Sequence, residues 1–195
     1  MHEILKKNRY FVKEFVGMFK AANEFDVLDL ETQQPLLEVR EPNLGMITKI
    51  LRFTDVKRMT PFDVHVRVPN GPQVVRITRG VSIFLSKVSV LDENEQLVGG
   101  FKQKLFSIGG AFTLLDAADK PLGVLEGSWT SWNFKFKRGE QQVASVTKKW
   151  AGLGKELFTS DDNYVLEIAD SVSAHDPIRM LILSAVFCID MVLKE

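Results

Sequence analysis

Short stretches in which apolar and polar residues alternate dominate the sequence from Phe25 onward. Clear examples are residues 64–68 (VHVRV), 74–78 (VVRIT) and 134–137 (FKFK). A period of two residues is typical of β-strands that bury one face. Turn-forming residues separate the stretches, as in the segment PNGP at 69–72. The sequence therefore predicts a series of antiparallel hairpins.

A weak internal repeat has the hairpin as its unit. Each copy consists of an apolar strand that ends in Asp, a few polar residues and a second apolar strand. The Asp side chain can hydrogen-bond to the backbone of its own turn. Repeated hairpins must bury one face and protect their edges, and closure into a barrel achieves both. Three copies begin at Phe25, Val88 and Phe112, and residues 134–146 form a fourth, degenerate copy.

The longest apolar run, residues 180–189 (MLILSAVFCI), lies between Arg179 and Asp190. A membrane-spanning helix needs about 20 apolar residues, so this run is more typical of a buried helix than of a membrane span. Because it is apolar nearly all round, protein should surround it on every side, and the interior of a large barrel offers such a place. The predicted fold is mainly β: one domain over residues 1–195, a closed antiparallel barrel wrapped around an apolar C-terminal helix.

The composition excludes several classes of function. The chain has 195 residues, 25 Lys and Arg against 25 Asp and Glu, and therefore no polycationic tail for nucleic acid. Its single cysteine, Cys188, can form neither an internal disulfide nor a multi-cysteine zinc site. The three histidines lie far apart, and neither a nucleophile elbow nor a phosphate-binding loop is present. Because these catalytic motifs are missing, we expect that the protein is not an enzyme. Because no secretory signal is present, we expect it to be cytoplasmic.

Charge is segregated along the chain although its sum is zero. Residues 43–90 contain eight Lys and Arg against two acids, and residues 131–150 contain five against one. Residues 156–176 contain six acids and neither Lys nor Arg. A basic barrel face could dock on anionic lipid headgroups, whereas the simpler alternative is that these are solvated outer faces of strands. The candidate lipid contacts are Lys135, Lys137, Arg138, Lys148 and Lys149, with Arg76 and Arg79 as a second patch.

The C-terminal quarter of the sequence carries a set of short motifs. They are Lys149-Trp150-Ala151-Gly152, residues 156–159 (ELFT), Asp162-Asn163-Tyr164 and residues 187–190 (FCID). This pattern resembles the phospholipid scramblase family, and residues 8–29 are similar to LURP-one-related proteins. Both families resemble the Tubby C-terminal domain, a closed barrel of twelve strands around one apolar helix.

The resemblance implies a function at membranes. It indicates a scramblase-like, non-catalytic module that binds anionic phospholipid or phosphoinositide at a membrane surface. Such a protein would be peripheral, at the inner face of the plasma membrane. Two alternatives stay open. The first is a soluble scaffold or ligand-binding barrel with a protein partner and no lipid role, and the second is lipid translocation by an inserted helix.

The resemblance also implies a calcium-binding segment at residues 160–171, with Asp161, Asp162 and Asp170 as candidate ligands. Ca²⁺ takes six to eight oxygen ligands, many of them carboxylates. At the positions that the family uses, only Asp162 supplies a carboxylate. We therefore expect a turn leading into a strand, with calcium as the alternative and no other cofactor.

Overall fold

In the computed structural model the protein is a closed antiparallel barrel. The structure describes residues 1–14, 24–42, 45, 48, 60–81, 87–103, 111–128, 133–148 and 163–193. Within these residues there are twelve strands, each paired with its neighbours in sequence, and the first strand also pairs with the last. The predicted fold class is confirmed. The strands are β1 (Arg9–Glu14), β2 (Glu24–Asp29), β3 (Pro35–Arg40), β4 (Phe62–Arg67), β5 (Gln73–Arg79), β6 (Lys87–Leu91), β7 (Leu97–Gln103), β8 (Ala111–Asp116), β9 (Pro121–Ser128), β10 (Asn133–Arg138), β11 (Gln141–Thr147) and β12 (Asn163–Ile168).

The three copies of the sequence repeat are the hairpins β2–β3, β6–β7 and β8–β9. In each, the Asp at the end of the first strand accepts backbone hydrogen bonds within its own turn. Asp92 Oδ1 accepts from Asn94 N at 2.8 Å and Gln96 N at 2.9 Å, and Asp116 Oδ1 makes the equivalent pair of bonds. Each turn also holds a non-glycine residue near φ +60°, namely Gln33, Glu95 and Asp119.

A glycine on β7 allows two strands to approach closely. A Cβ on Gly100 would lie inside the contact distance of the Val88 carbonyl oxygen on β6, which is backbone and cannot move aside alone. We expect Gly100→Ala to lower the free energy of unfolding by about 3 kcal/mol or more, measured by urea denaturation. Gly80→Ala is the matched control, because Gly80 has nothing within 4 Å of that position, and it should change stability by less than about 0.5 kcal/mol. Equal stabilities of the two variants would contradict the close approach.

The helix α1 (Ile178–Leu193) runs through the barrel. Asp176 Oδ1 accepts from Ile178 N at 3.0 Å and caps its first turn, and Pro177 restricts the backbone just before it. Every residue from 178 to 189 is buried. Because the helix is apolar all round, the inward-facing side chains of the strands can pack against it on all sides. No described helix has the length and apolar character that a bilayer crossing requires.

One end of the barrel, the closed end, is covered by the N-terminal 3₁₀ helix (Glu3–Lys6) and by residues 169–177, which lead into α1. The five short hairpin turns lie at this end too, because neighbouring strands alternate in direction. The helix enters here and points toward the opposite end, which we call the mouth. There the ring of Phe187 lies 5.2 Å from the ring of Phe25, near the start of β2.

Arg179 holds the closed end together. It is 1% exposed, and its guanidinium donates to the carbonyl oxygens of Leu5, Lys6, Lys7 and Val172 at 2.5–3.0 Å. A fifth bond goes to Asn8 Oδ1 at 2.6 Å. All five acceptors are neutral. The first eight residues are thereby fixed to the start of α1.

Candidate functional site

Lys135 and Lys137 project from the outer surface of β10. They do so because Phe134 and Phe136, which alternate with them, are fully buried in the barrel. Lys135 is exposed, and in the described part of the chain no carboxylate lies within ion-pair distance of it. Lys137 Nζ lies 3.2 Å from Glu126 Oε2 on β9. We call the outer surface around Lys135 and Lys137 the β10–β11 face. Lys148 is not part of it, because it continues the inward series of Ala144 and Val146.

Lys148 directly follows β11, near its mouth end. Its Nζ lies 5.6 Å from the centre of the Tyr164 ring on β12, a cation–π contact that holds the half-buried side chain. Lys149 lies outside the described residues. Arg138 lies at the other end of β10, where it donates to Asp176 Oδ2 at 3.0 Å. The structure thus brings Lys135 and Lys137 together and pairs Arg138 with an acid at the closed end.

The expectation of a second exposed patch formed by Arg76 and Arg79 is wrong as regards their placement. The two residues are three positions apart on β5, so their side chains point to opposite sides of the sheet. Arg76 faces outward, where it donates twice to Asp63 at 2.7–2.8 Å and once to Glu95 at 2.7 Å. These carboxylates raise the pKa of Arg76 and occupy its donors. Arg79 faces inward and is 4% exposed.

The candidate calcium segment, residues 160–171, includes β12. Asp161 and Asp162 lie outside the described residues. Within the same segment, the side chains of Tyr164, Leu166 and Ile168 pack in the barrel core. Asp170 is exposed, and its Oδ1 accepts from Asn8 Nδ2 at 2.6 Å. In the described ranges, no group of three His, Cys, Asp or Glu residues is arranged to hold a metal ion.

Cys188, His65 and His2 are of the residue types that often act as nucleophile or base, and the structure places each of them. Burial raises the pKa of the Cys188 thiol to about 12, against a smaller opposing effect of Arg79. The thiol is therefore protonated at neutral pH and shielded from solvent. His65 lies on the outer side of β4 beside Asp63, 3.4 Å between Nε2 and Oδ1. His2 caps the 3₁₀ helix by accepting from Ile4 N.

Two charged groups that the sequence analysis did not place lie inside the barrel. Glu41, just after β3, is 6% exposed at the mouth, and Arg179 lies at the closed end. The alternation along β3 could have located Glu41, since it continues the inward positions of Leu37 and Val39. The role of Arg179 left no sequence signal, because its acceptors are backbone carbonyl groups.

The fold and the sequence together agree with one known family. The family model named Scramblase matches residues 4–195. The chain belongs to the Scramblase family. The X-ray structure of a protein from Arabidopsis thaliana is similar to this scramblase-family chain, with a TM-score of 0.54 and 16% sequence identity, covering 96% of this chain and 93% of the other. At that identity the similarity concerns the fold. The resemblance drawn from the C-terminal motifs is confirmed.

Proposed function

We propose that this scramblase-family protein is a non-catalytic module that binds anionic phospholipid, including phosphoinositides, at the inner face of the plasma membrane. The observation that carries the proposal is the β10–β11 face. Lys135 and Lys137 lie two residues apart on the outer side of β10. Each cation near an anionic membrane surface contributes about 1 kcal/mol to binding.

The filled interior argues against a barrel that encloses its ligand. Helix α1 and the inward-facing side chains of the strands occupy the centre, with Leu181, Ile182 and Phe187 fully buried. A lipid or partner must therefore meet the protein on its outer surface or at an end.

Co-sedimentation with vesicles tests the proposal. The protein should bind vesicles of phosphatidylcholine and phosphatidylserine but not phosphatidylcholine alone. Binding should weaken as salt increases, because screening shortens the range of surface charges to about 10 Å at 0.1 M salt. Parallel samples with calcium and with a phosphoinositide test those two dependences. Salt-independent binding, or none, would contradict the proposal and favour a protein partner.

Charge variants locate the contact. Lys135→Glu with Lys137→Glu should weaken binding by about 30-fold or more, since two favourable cations are lost and two repulsive anions are added. The matched control is Lys102→Glu with Lys120→Glu, two exposed lysines elsewhere on the barrel, and it should retain most of the affinity. Glu126→Gln should tighten binding, because it removes the carboxylate beside Lys137. Equal losses in the two double variants would show that net charge alone matters.

A further inference from the structure

The closed end of the barrel carries an excess of acids. Its turns and its cover are formed by residues 1–8, 30–34, 68–72, 92–96, 117–120, 139–140 and 169–177, all within the described part of the chain. These residues include nine Asp and Glu against three Lys and no Arg. Arg9, Arg76 and Arg138 on adjoining strands pair with three of the acids, which leaves six against three. An anionic membrane would therefore repel this end.

The cations of β10 are neutralised progressively toward the closed end. Lys135, two residues from the mouth end of the strand, is exposed, and among the described residues no carboxylate lies within ion-pair distance of it. Lys137 is half-buried, and its Nζ lies 3.2 Å from Glu126 Oε2. Arg138 ends the strand and pairs with Asp176 at 3.0 Å. The positive charge of β10 that can meet an anionic surface therefore lies in its mouth half.

The two ends of the β10–β11 hairpin are far enough apart for a membrane to distinguish them. Asn133 begins β10 at the mouth, and Glu140 lies in the turn that follows the strand at the closed end. Five residue steps of about 3.3 Å separate Asn133 from Arg138, so the strand alone spans about 17 Å. Salt screens surface charges beyond about 10 Å at 0.1 M. A barrel that lowers Asn133 and lifts Glu140 keeps the attraction of Lys135 and escapes most of the repulsion of the closed end.

We propose that the barrel binds an anionic membrane in a tilted orientation, with the mouth half of the β10–β11 face against the headgroups and the closed end turned away. This inference rests on the proposed function and adds which part of that face contacts the lipid. Lys135 contacts the lipid phosphates directly. Arg138 and the turn at Glu140 stay in water, as does the 3₁₀ helix that covers the closed end.

Opposite charges at the two ends of the hairpin test the tilt. In co-sedimentation with vesicles of phosphatidylcholine and phosphatidylserine, Asn133→Lys should bind at least tenfold more tightly than Asn133→Glu, because a cation replaces an anion beside the anionic surface. Glu140→Lys makes the same exchange of charge at the closed end and is the matched control. It should bind less than threefold more tightly than the unchanged protein. Both positions are exposed, so the variants should stay folded, which circular dichroism checks.

Fluorescent labels at the same two positions report their distance from the lipid. Asn133→Cys and Glu140→Cys each place one label on the hairpin, and the buried Cys188 should stay unlabelled in the folded protein. A quencher attached to the lipid headgroups should quench the label at position 133 strongly and the label at position 140 weakly. A barrel that lies flat on the β10–β11 face would instead show equal quenching at both positions.

The outcomes separate the tilt from lipid binding itself. A large charge effect and strong quenching at position 133 alone support the tilted orientation. Equal effects at positions 133 and 140, or larger ones at position 140, in protein that co-sediments would overturn the tilt and leave the proposed function standing. If the protein co-sediments but neither position responds, the contact lies elsewhere on the barrel, and both the β10–β11 face and the tilt are overturned. Failure of the unchanged protein to co-sediment would overturn the proposed function and this inference with it.

Discussion

Phe187→Asp should leave the chain unfolded in solution. The Phe187 ring is fully buried in the barrel and contacts Phe25. Removing a buried aromatic ring costs about 3–5 kcal/mol, and an unpaired carboxylate adds a large desolvation penalty. The sum exceeds the lower part of the usual range of protein stability, about 5–15 kcal/mol. Circular dichroism and size-exclusion chromatography would show loss of the native state, and Leu183→Asp should behave alike.

Phe187→Leu provides the matched control for that variant. It keeps an apolar side chain of smaller volume, so it should remain folded and lose no more than about 1.5 kcal/mol. A folded, monomeric Phe187→Asp protein would mean that α1 is exposed to solvent and available to a membrane. That result would revive translocation by an inserted helix and contradict the barrel interior described above.

Arg179→Met should also lower the stability strongly. It deletes five hydrogen bonds at once, and four of their acceptors are backbone carbonyl groups that no side-chain change can remove. Each buried acceptor left without a donor costs about 1–3 kcal/mol unless water replaces the lost partner. We expect the free energy of unfolding to fall by about 3 kcal/mol or more in urea denaturation. Arg179→Lys should lie between, because an ammonium group has three donors.

Hydrogen exchange distinguishes a loss of stability confined to the closed end from a loss that affects the whole barrel. In Arg179→Met, the amides of the 3₁₀ helix should exchange much faster than in the unchanged protein, ahead of those in β6 and β7. Arg76→Met is the control, since it removes an arginine that pairs with carboxylates on the surface, and exposed ion pairs contribute about 0–1 kcal/mol. Equal stability losses for the two arginines would refute the special role of Arg179.

The architecture was predictable because it depends on local patterns. Alternation located the strands, and the repeated Asp marked three turns in which its side chain does bind the backbone, as at Asp92 and Asp116. An apolar run too short for a bilayer gave the central helix. The C-terminal motifs led to the same twelve-strand barrel.

The candidate site was less predictable because it depends on partners distant in sequence. Counting cations could not show that Asp63 and Glu95 occupy Arg76, or that Asp176 occupies Arg138. Arg76 and Arg79 are three positions apart on one strand, so their side chains point to opposite sides of the sheet. This difference could have been predicted from the sequence. The lipid contacts and the calcium dependence stay predictions.

Closure of the ring between β1 and β12 has a consequence for how the protein is made. Arg9 pairs with Glu167, so the final seam joins residues from opposite ends of the chain. The hairpins can form early, but the ring and its central helix need nearly the whole chain to be available. Folding rates fall as contacts become more distant in sequence. During synthesis, the strands therefore pass through an open sheet with two unpaired edges and an unfilled apolar face, the stage at which chaperones would be most needed.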